Sequence, residues 1–276
     1  MIKGHRPFFW NLEYFWYNNL VEVTMKLLAS DYDGTLLRKR RISKRDKEAI
    51  ESFRVEGNLF GIVTGRPYGS IRNELKARKI KHDFVISVNG GYIVDHEGNI
   101  IFEKQVPQHI VMDICDQILK EDLVLGGVND GIYIRYLVMK YSFKKRAARF
   151  LKNRVYRRRK ADPTIARGFV IHVREASNAE SVANRMIEHF GEYVSCHRNG
   201  DIIIDLSAKG VAKDNAVQIV AEHFGAREIY VIGDSYNDIA MIKRFNGFAI
   251  TGANEEVMAV ASQEVNDFSE LMEYIR

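Results

Sequence analysis

The chain alternates between short unbroken apolar runs and longer segments whose apolar residues recur at helical spacing. Leu27, Leu28 and Ala29 form the first run, the pattern of a strand buried on both faces. "ISKRDKEAIESFRVEGN" then predicts a helix. Ser43 and Asp46 make a capping-box pattern, Ala49, Ile50 and Phe53 share one face, and Gly57 is a stop signal. "LFGIV" predicts a second strand, ending at Thr64-Gly65-Arg66-Pro67. A helical stretch follows, and "FVISV" predicts a third strand, ending at Asn89-Gly90-Gly91. The alternation returns late in the chain: "GVAKDNAVQIVAEHFG" is a helix closed by Gly225, "EIYVI" a strand, "NDIAMIKRF" a helix and "GFAI" a strand. This order predicts an α/β fold with a Rossmann-like core, a parallel sheet with helices on its faces.

The middle of the chain reads differently. From about Gln105 to Leu206, helical segments alternate with strands such as "GIYIRYLV", "GFVIHV" and "DIIIDL". Several of these alternate apolar and polar residues, which predicts a sheet with one solvated face. The pattern divides the chain into an aromatic N-terminal extension (1–24), a first core segment (25–104), an inserted α+β domain (105–206) and a second core segment (207–276). In the extension, Lys3 and Arg6 precede Phe8, Phe9 and Trp10 in the manner of a signal peptide. Asn11, Glu13, Asn18 and Asn19 break the apolar run and no small-residue cleavage site follows, so packing on the domain or a second subunit is the preferred reading. Met25, just before the first strand, is an alternative natural start.

Composition narrows the picture. With 276 residues, 46% of them hydrophobic, the chain can bury one large or two smaller cores. No segment approaches the roughly 18 uninterrupted apolar residues of a membrane helix. Cys115 and Cys196 are the two cysteines, without a C-x-x-C, so neither a disulfide scaffold nor a cysteine zinc site is expected, and a cytoplasmic location is. The formal charge of +5 is unevenly spread, because residues 144–160 hold ten basic side chains and no acidic one. That run is read as a basic helix face able to steer anionic substrates, in preference to a nucleic-acid site, since it shows no groove-reading or base-stacking pattern.

In an open parallel sheet, ligands bind at the carboxyl ends of the strands. The polar clusters fall there: Asp31 and Asp33 after the first strand, Thr64 and Gly65 after the second, Asn89 after the third, and Asp234, Asn237 and Asp238 after a late one. Lys209 and Lys213 lie at the start of the helix before that late strand. Asp31, Asp33, Asp234 and Asp238 concentrate negative charge that calls for a cation, and hard carboxylate oxygens without histidine or cysteine favour Mg²⁺. Thr64, neighbouring N–H groups and a lysine would supply donors to a phosphoryl group. A carboxylate is a competent nucleophile, and a second carboxyl two residues on can move protons, which casts Asp31 and Asp33 in those parts.

"DYDGTLL", "VTGRP", "GVAK" and "GDSYNDIAMI", in that order, resemble the four motifs of the haloacid dehalogenase superfamily of phosphohydrolases. The insertion between the second and third, with "SVNGGYIVDHEGNII" before it, resembles the cap of the Cof-type, subfamily IIB branch. The resemblance implies Asp31 as nucleophile and Asp33 as general acid/base. It implies Mg²⁺ on Asp31, the Asp33 backbone carbonyl and Asp234, with Asp238 in support. Thr64, Gly65 and Asn237 would then bind phosphate. "GVAK" matches the family's third motif through Lys213 rather than Lys209, with Asp214 where a glycine is usual. The implied function is a Mg²⁺-dependent phosphatase acting on a small phosphorylated metabolite, sugar phosphates first and phosphorylated cofactors second, as a monomer or homodimer. A phosphosugar mutase on the same core, or a regulatory nucleic-acid-binding protein using residues 144–160, are the alternatives.

Overall fold

In the computed structural model, residues 24–140 and 165–275 are described. The basic run at 144–160 and almost all of the N-terminal extension lie outside the described residues. Among the described residues two sheets are built. The larger has eight strands in the order β13-β12-β11-β1-β2-β3-β4-β5. Its centre is β1 (Lys26–Asp31), flanked in parallel by β2 (Leu59–Val63) and β11 (Glu228–Gly233). β3 (Phe84–Ser87), β12 (Asn246–Ile250) and β13 (Gln263–Val265) extend the parallel run on both sides. A hairpin of β4 (Tyr92–Asp95) and β5 (Ile100–Glu103) then adds two antiparallel strands at the edge.

Helices cover both faces, as continuous apolar strands require. They are α1 (Lys44–Val55), α2 (Tyr68–Arg78), and, late in the chain, α5 (Lys213–Phe224), α6 (Ile239–Arg244), α7 (Glu255–Met258) and α8 (Phe268–Ile275). The capping box expected at Ser43 forms: Asp46 N–H donates to Ser43 Oγ at 2.9 Å, and Ser43 N–H reaches Asp46 Oδ2 at 3.4 Å. Asp46 is buried and does more than cap. Arg38 donates to its Oδ2 at 2.9 Å and the Phe268 N–H to its Oδ1 at 3.0 Å, which ties α1 to the start of α8.

The inserted unit is a five-stranded antiparallel sheet in the order β7-β6-β8-β10-β9. Its strands are β6 (Leu123–Asn129), β7 (Ile134–Met139), β8 (Gly168–Val173), β9 (Val194–Asn199) and β10 (Ile203–Ala208). Helices α3 (Gln108–Lys120) and α4 (Ala179–Phe190) pack on one face, where Val128, Phe169, Ile171, Ile204 and Leu206 join Ile114, Ile118 and Met186 in a core of their own. The alternation in these strands predicts one apolar and one solvated face. The second face is instead turned to the larger sheet, through Asp205 and Asn89.

Three boundaries differ from the sequence pattern for local reasons. β3 stops at Ser87 because Val88 and Asn89 both take φ 53°, outside the strand region. The expected strand "GIYIRYLV" begins only at Ile134, because Asp130 Oδ1 accepts from the Ile132 and Tyr133 N–H groups and closes a turn. The expected helix "NDIAMIKRF" opens as a 3₁₀ turn over Tyr236–Asp238 before α6. Among the described residues no helix is long and apolar enough to cross a membrane.

The two units meet at defined contacts. The loop after β6 sits on the first turn of α2, with the Tyr68 N–H donating to Gly131 O at 2.7 Å and the Gly69 N–H to Ile132 O at 3.0 Å. At the crossing of the two connecting segments, Val106 N–H donates to Ala166 O at 2.7 Å. There Arg167 donates to Glu103 and to the Asp130 carbonyl, and lies 4.9 Å over the Tyr92 ring.

Asp46→Ala removes the acceptor shared by Arg38, Ser43 and Phe268. The expected loss is about 2–4 kcal/mol of unfolding free energy, read as a lower urea midpoint at unchanged slope; a loss under about 0.5 kcal/mol, the scale of an ordinary surface change, contradicts it.

Candidate active site

The parallel register brings the carboxyl ends of β1, β2, β3 and β11 to one edge of the large sheet, since Asp31 pairs with Val63, Val63 with Ile86 and Ser30 with Ile232. Asp31, the last residue of β1, is 6% exposed. Its Oδ1 accepts from Lys213 Nζ at 2.7 Å. Lys213, the first residue of α5, is itself buried and also donates to Asp238 Oδ1 at 2.6 Å. Lys209 is exposed and its ammonium goes to the Gly191 carbonyl, so Lys213 alone of the two candidate lysines stands beside Asp31.

Asp238 is held from both sides. Its Oδ2 accepts from the Asp234 N–H at 3.1 Å and the Ser235 N–H at 3.0 Å, so the turn after β11 wraps around its carboxylate. A Cβ on Gly233 would lie 2.5 Å from Asp238 Cβ, so only glycine leaves room for that turn. Asp234 is fixed by Thr35, whose hydroxyl donates to its Oδ1 at 2.6 Å. Gly34, at φ +104°, lets the loop after β1 close on Asp234, where a Cβ would come within 2.2 Å of Oδ2.

The charges of this cluster do not balance among themselves. Carboxylate oxygens of Asp31, Asp234 and Asp238 lie within 4.8 Å of one another, against one ammonium. Burial pushes Asp31 well up from the usual carboxylate range; Lys213 opposes this, and the neighbouring Asp238 and Asp234 add to it. Asp234 is pushed up to about 6 by burial, with the Thr35 hydrogen bond opposing and Asp238 adding. Burial works against the Lys213 cation, yet its two carboxylates hold it above the usual lysine value. A second, divalent cation would complete the neutralisation. Asp31 and Asp234 keep lone pairs for it, Asp234 Oδ2 meeting the Ser235 hydroxyl only at 3.5 Å, whereas Asp238 Oδ1 is held by Lys213 and its Oδ2 by two N–H groups. An all-oxygen donor set of this kind suits Mg²⁺.

Asp33 stands apart from this cluster. It is half-exposed and forms a bidentate pair with Arg66, whose Nε lies 2.5 Å from Oδ2. Arg66 also lies 5.2 Å over the ring of buried Tyr32. The sequence reading passed over Arg66, although it directly follows Thr64 and Gly65. Thr64 is buried; its Oγ1 accepts from the Arg66 N–H at 3.2 Å, and its hydroxyl hydrogen remains to be donated.

The loops after β2 and β3 are stitched together. Val88 N–H donates to Arg66 O at 3.1 Å and Asn89 N–H to Thr64 O at 3.0 Å. These bonds hold Val88 and Asn89 at φ 53°, a conformation costly for a β-branched valine. The result aims the Asn89 side chain inward. Asn237 Nδ2 donates to Asn89 Oδ1 at 3.1 Å, and Asn89 Nδ2 donates to Asp205 Oδ2 at 3.2 Å. Asn237 Oδ1 is buried and has no hydrogen-bond partner among the described residues.

Asp205, from β10 of the inserted unit, is the functional candidate that sequence reasoning missed. It is buried over the loop after β2; a Cβ on Gly65 would lie 2.6 Å from its Oδ2. Burial pushes it up to about 6, while hydrogen bonds from Asn89 and Asn199 and the Lys213 charge pull it down.

Comparison with known proteins bears on the family and the fold. Residues 28–270 match the family model of the haloacid dehalogenase-like hydrolases. A "5-amino-6-(5-phospho-D-ribitylamino)uracil phosphatase" of Escherichia coli, YbjI, is 23% identical over 252 residues, 87% of this chain and 90% of its own. A "Putative phosphatase" of Buchnera aphidicola is 24% identical over 231 residues, 78% of this chain and 82% of its own. Among solved structures, a haloacid dehalogenase-like hydrolase from B. subtilis superposes with a TM-score of 0.75 at 20% identity, covering 91% of this chain and 99% of that one. The subclass IIB sugar phosphatase BT4131 gives 0.73 at 22%, over 91% and 99%. The chain belongs to the haloacid dehalogenase-like hydrolases, and its fold, with the inserted unit as a cap, is that of the subclass IIB structure.

The Asp205 carboxyl gives a pH signature. Its folded value of about 6 lies above the 3.8 of a free aspartate, so the folded protein holds that proton more tightly than the unfolded chain. Its contribution to stability is full below the unfolded value and is lost as pH rises through about 6. Relative to Asp205→Asn, wild type is therefore expected to gain roughly 1 kcal/mol between pH 7.5 and pH 5.0. The melting-temperature advantage of the variant should be larger at pH 7.5; equal differences at both pH values contradict the assignment.

Proposed function

We propose that this protein is a Mg²⁺-dependent phosphatase of small phosphomonoesters that works through an aspartyl-phosphate on Asp31. The observation that carries the reading is the placement of Asp31. It is a buried carboxylate at the carboxyl end of the central strand, oriented by Lys213 and crowded by Asp234.

In the proposed reaction, an Asp31 carboxylate oxygen attacks phosphorus and the bond from phosphorus to the leaving oxygen breaks. Asp33 donates a proton to that oxygen. Asp33 then takes a proton from water as the water attacks phosphorus, and the acyl-phosphate bond breaks, releasing phosphate and regenerating Asp31. Asp33 must exchange its pairing with Arg66 for the reacting oxygens, so a side-chain movement accompanies the proton transfers. Lys213 keeps Asp31 oriented and offsets charge on the phosphoryl oxygens. The Thr64 hydroxyl and the Asn237 amide complete the phosphate site, with Gly65 leaving space at the loop. Asp31, Asp234 and the Asp33 backbone carbonyl would hold Mg²⁺, with Asp238 supporting Lys213 and the turn. When bound, that ion supplies positive charge against the phosphoryl group as negative charge redistributes.

Sugar phosphates are the first substrate class to examine and phosphorylated cofactors the second. The names of the relatives point the same way: one structural neighbour is a sugar phosphatase and the E. coli relative a phosphatase of a ribitylamino-uracil phosphate. The cap would open to admit substrate and close to exclude water, so its movement would gate turnover.

Phosphate release from a panel of phosphomonoesters tests the reading. Wild type is expected to release phosphate with Mg²⁺, to stop on chelation and to recover when Mg²⁺ is restored. Asp31→Asn is expected to lose at least about a thousandfold in kcat; full activity in that variant would contradict the assignment of the nucleophile.

A further inference from the structure

The loop that follows Asp33 contradicts its own local preferences. Arg38 and Arg41 exchange N–H···O bonds at 3.0 and 2.8 Å, which makes Lys39 and Arg40 the central residues of a two-residue hairpin turn. Both hold positive φ, 47° and 64°. A turn with positive φ at both central positions takes Asn-Gly or Gly-Gly by preference, because other side chains are strained there. The flanking pair adds a second conflict, since Arg38 and Arg41 are like charges directly opposite one another. Lys39 and Arg40 are exposed, so neither conflict is offset by packing. The stretch is basic throughout: residues 38–47 hold seven lysines and arginines and one acid, Asp46. A backbone held in strain by residues that gain nothing from the fold is the mark of a functional site.

We propose that this hairpin tip, Lys39-Arg40-Arg41 with the adjoining end of α2, is a nucleic-acid contact that binds the phosphate backbone and does not read the bases. It is a second activity of the chain and does not rest on the phosphatase reading above.

Three observations carry it. First, the cations are available. Among the described residues no acidic side chain pairs with Lys39, Arg40 or Arg41, and the nearby acids are engaged elsewhere: Asp46 by Arg38, Glu48 by Lys44 and Glu74 by Arg78. Second, positive charge surrounds the tip on more than one side. Arg78 Nη1 donates to the Arg40 carbonyl at 3.3 Å and Lys47 Nζ to the Arg78 carbonyl at 2.7 Å, so the end of α2 lies against the hairpin. Lys76 stands in the last turn of α2 and Lys79 caps it, both exposed and without an acidic partner among the described residues. Cations set around a protrusion suit phosphates that run past it on a strand, whereas a bilayer surface meets a single plane. Third, the surroundings offer charge and little else. None of the exposed large apolar side chains of the described residues falls within 33–47 or 68–81. A protein interface is built around apolar and aromatic anchors, and a membrane-inserting tip carries apolar residues. Bases are held on aromatic rings, and residues 38–47 contain none. What remains is guanidinium and ammonium groups, the donors that backbone phosphates take.

The test titrates the full chain against a short labelled single-stranded RNA, by fluorescence anisotropy over a range of salt. Wild type is expected to bind, with log K falling linearly in log salt. Lys39→Gln/Arg40→Gln/Arg41→Gln is expected to bind at least about tenfold more weakly at about 0.1 M salt. Its salt slope should be flatter by about 2, from three lost phosphate contacts at roughly 0.7 each. A second variant, Lys39→Asn/Arg40→Gly, gives the turn its preferred residues. Its melting temperature is expected to rise while its RNA binding weakens, opposite signs that a purely structural turn would not show. No binding by wild type at low salt, or an unchanged affinity and slope in the triple variant, would overturn the proposal. So would a lower melting temperature in Lys39→Asn/Arg40→Gly, since the native turn would then carry no strain. Phosphatidylserine vesicles are the comparison: if the triple variant loses binding to them while its RNA affinity is unchanged, the tip meets a membrane and the nucleic-acid assignment is wrong. No readout uses phosphatase activity, so this proposal and the phosphatase reading fail separately.

Discussion

The buried ammonium of Lys213, clamped between Asp31 and Asp238, is the interaction on which the rest of the structure depends. It joins the end of the central strand to the start of α5 and to the turn after β11, segments separated in sequence by the whole cap. An isolated lysine could not be buried here, and neither could two carboxylates without it. Each element that delivers a partner is correspondingly constrained: β1 must stop at Asp31, α5 must start at Lys213, and Gly233 must leave space for Asp238. The arrangement is stable and still short of positive charge, which leaves Asp31 and Asp234 poised around a site that suits a divalent cation and a phosphoryl group.

The cap solves a different problem. A sheet with one apolar face is ordinarily stable with its other face in water. Here the second face is lowered onto the core, so its polar residues meet the strand ends. Directed groups make the contact, among them the α2 N–H groups on the loop after β6, Arg167 on Glu103, and Asn89 on Asp205. Directed polar contacts of this sort can be broken and remade without exposing an apolar core, because the cap keeps its own hydrophobic cluster beneath α3 and α4. That independence is what a moving cover requires.

The core and the strand ends that carry its polar groups were largely legible in the chain. Unbroken apolar runs ending in Asp31, Thr64, Asn89 and Asp234 announce parallel strands with polar tips, and the Ser43–Asp46 capping box announced α1. What was not legible has physical causes. β6 contains Gly126 and Gly127, which weaken any strand signal, and β9, "VSCHRN", is an edge strand with little apolar content. The β4–β5 hairpin turns on Asp95, which accepts from three successive N–H groups, a local device that hydrophobic periodicity does not report. Asp205 looks like the solvent-facing position of an alternating strand. Its burial follows from the cap's placement on the core, and no local pattern encodes that. Arg66 was visible in its motif, but its pairing with Asp33 depends on two loops meeting in space.

The central claim is that Asp31 itself becomes phosphorylated. It is tested most directly by quenching the enzyme in acid during turnover with Mg²⁺ and a good phosphomonoester, reducing any acyl phosphate with borohydride, and mapping the product by peptide mass spectrometry. The account predicts reduction of one side chain, Asp31, in a yield that disappears when substrate is omitted. Turnover without any modification of Asp31, or with the modification on another residue, would contradict it.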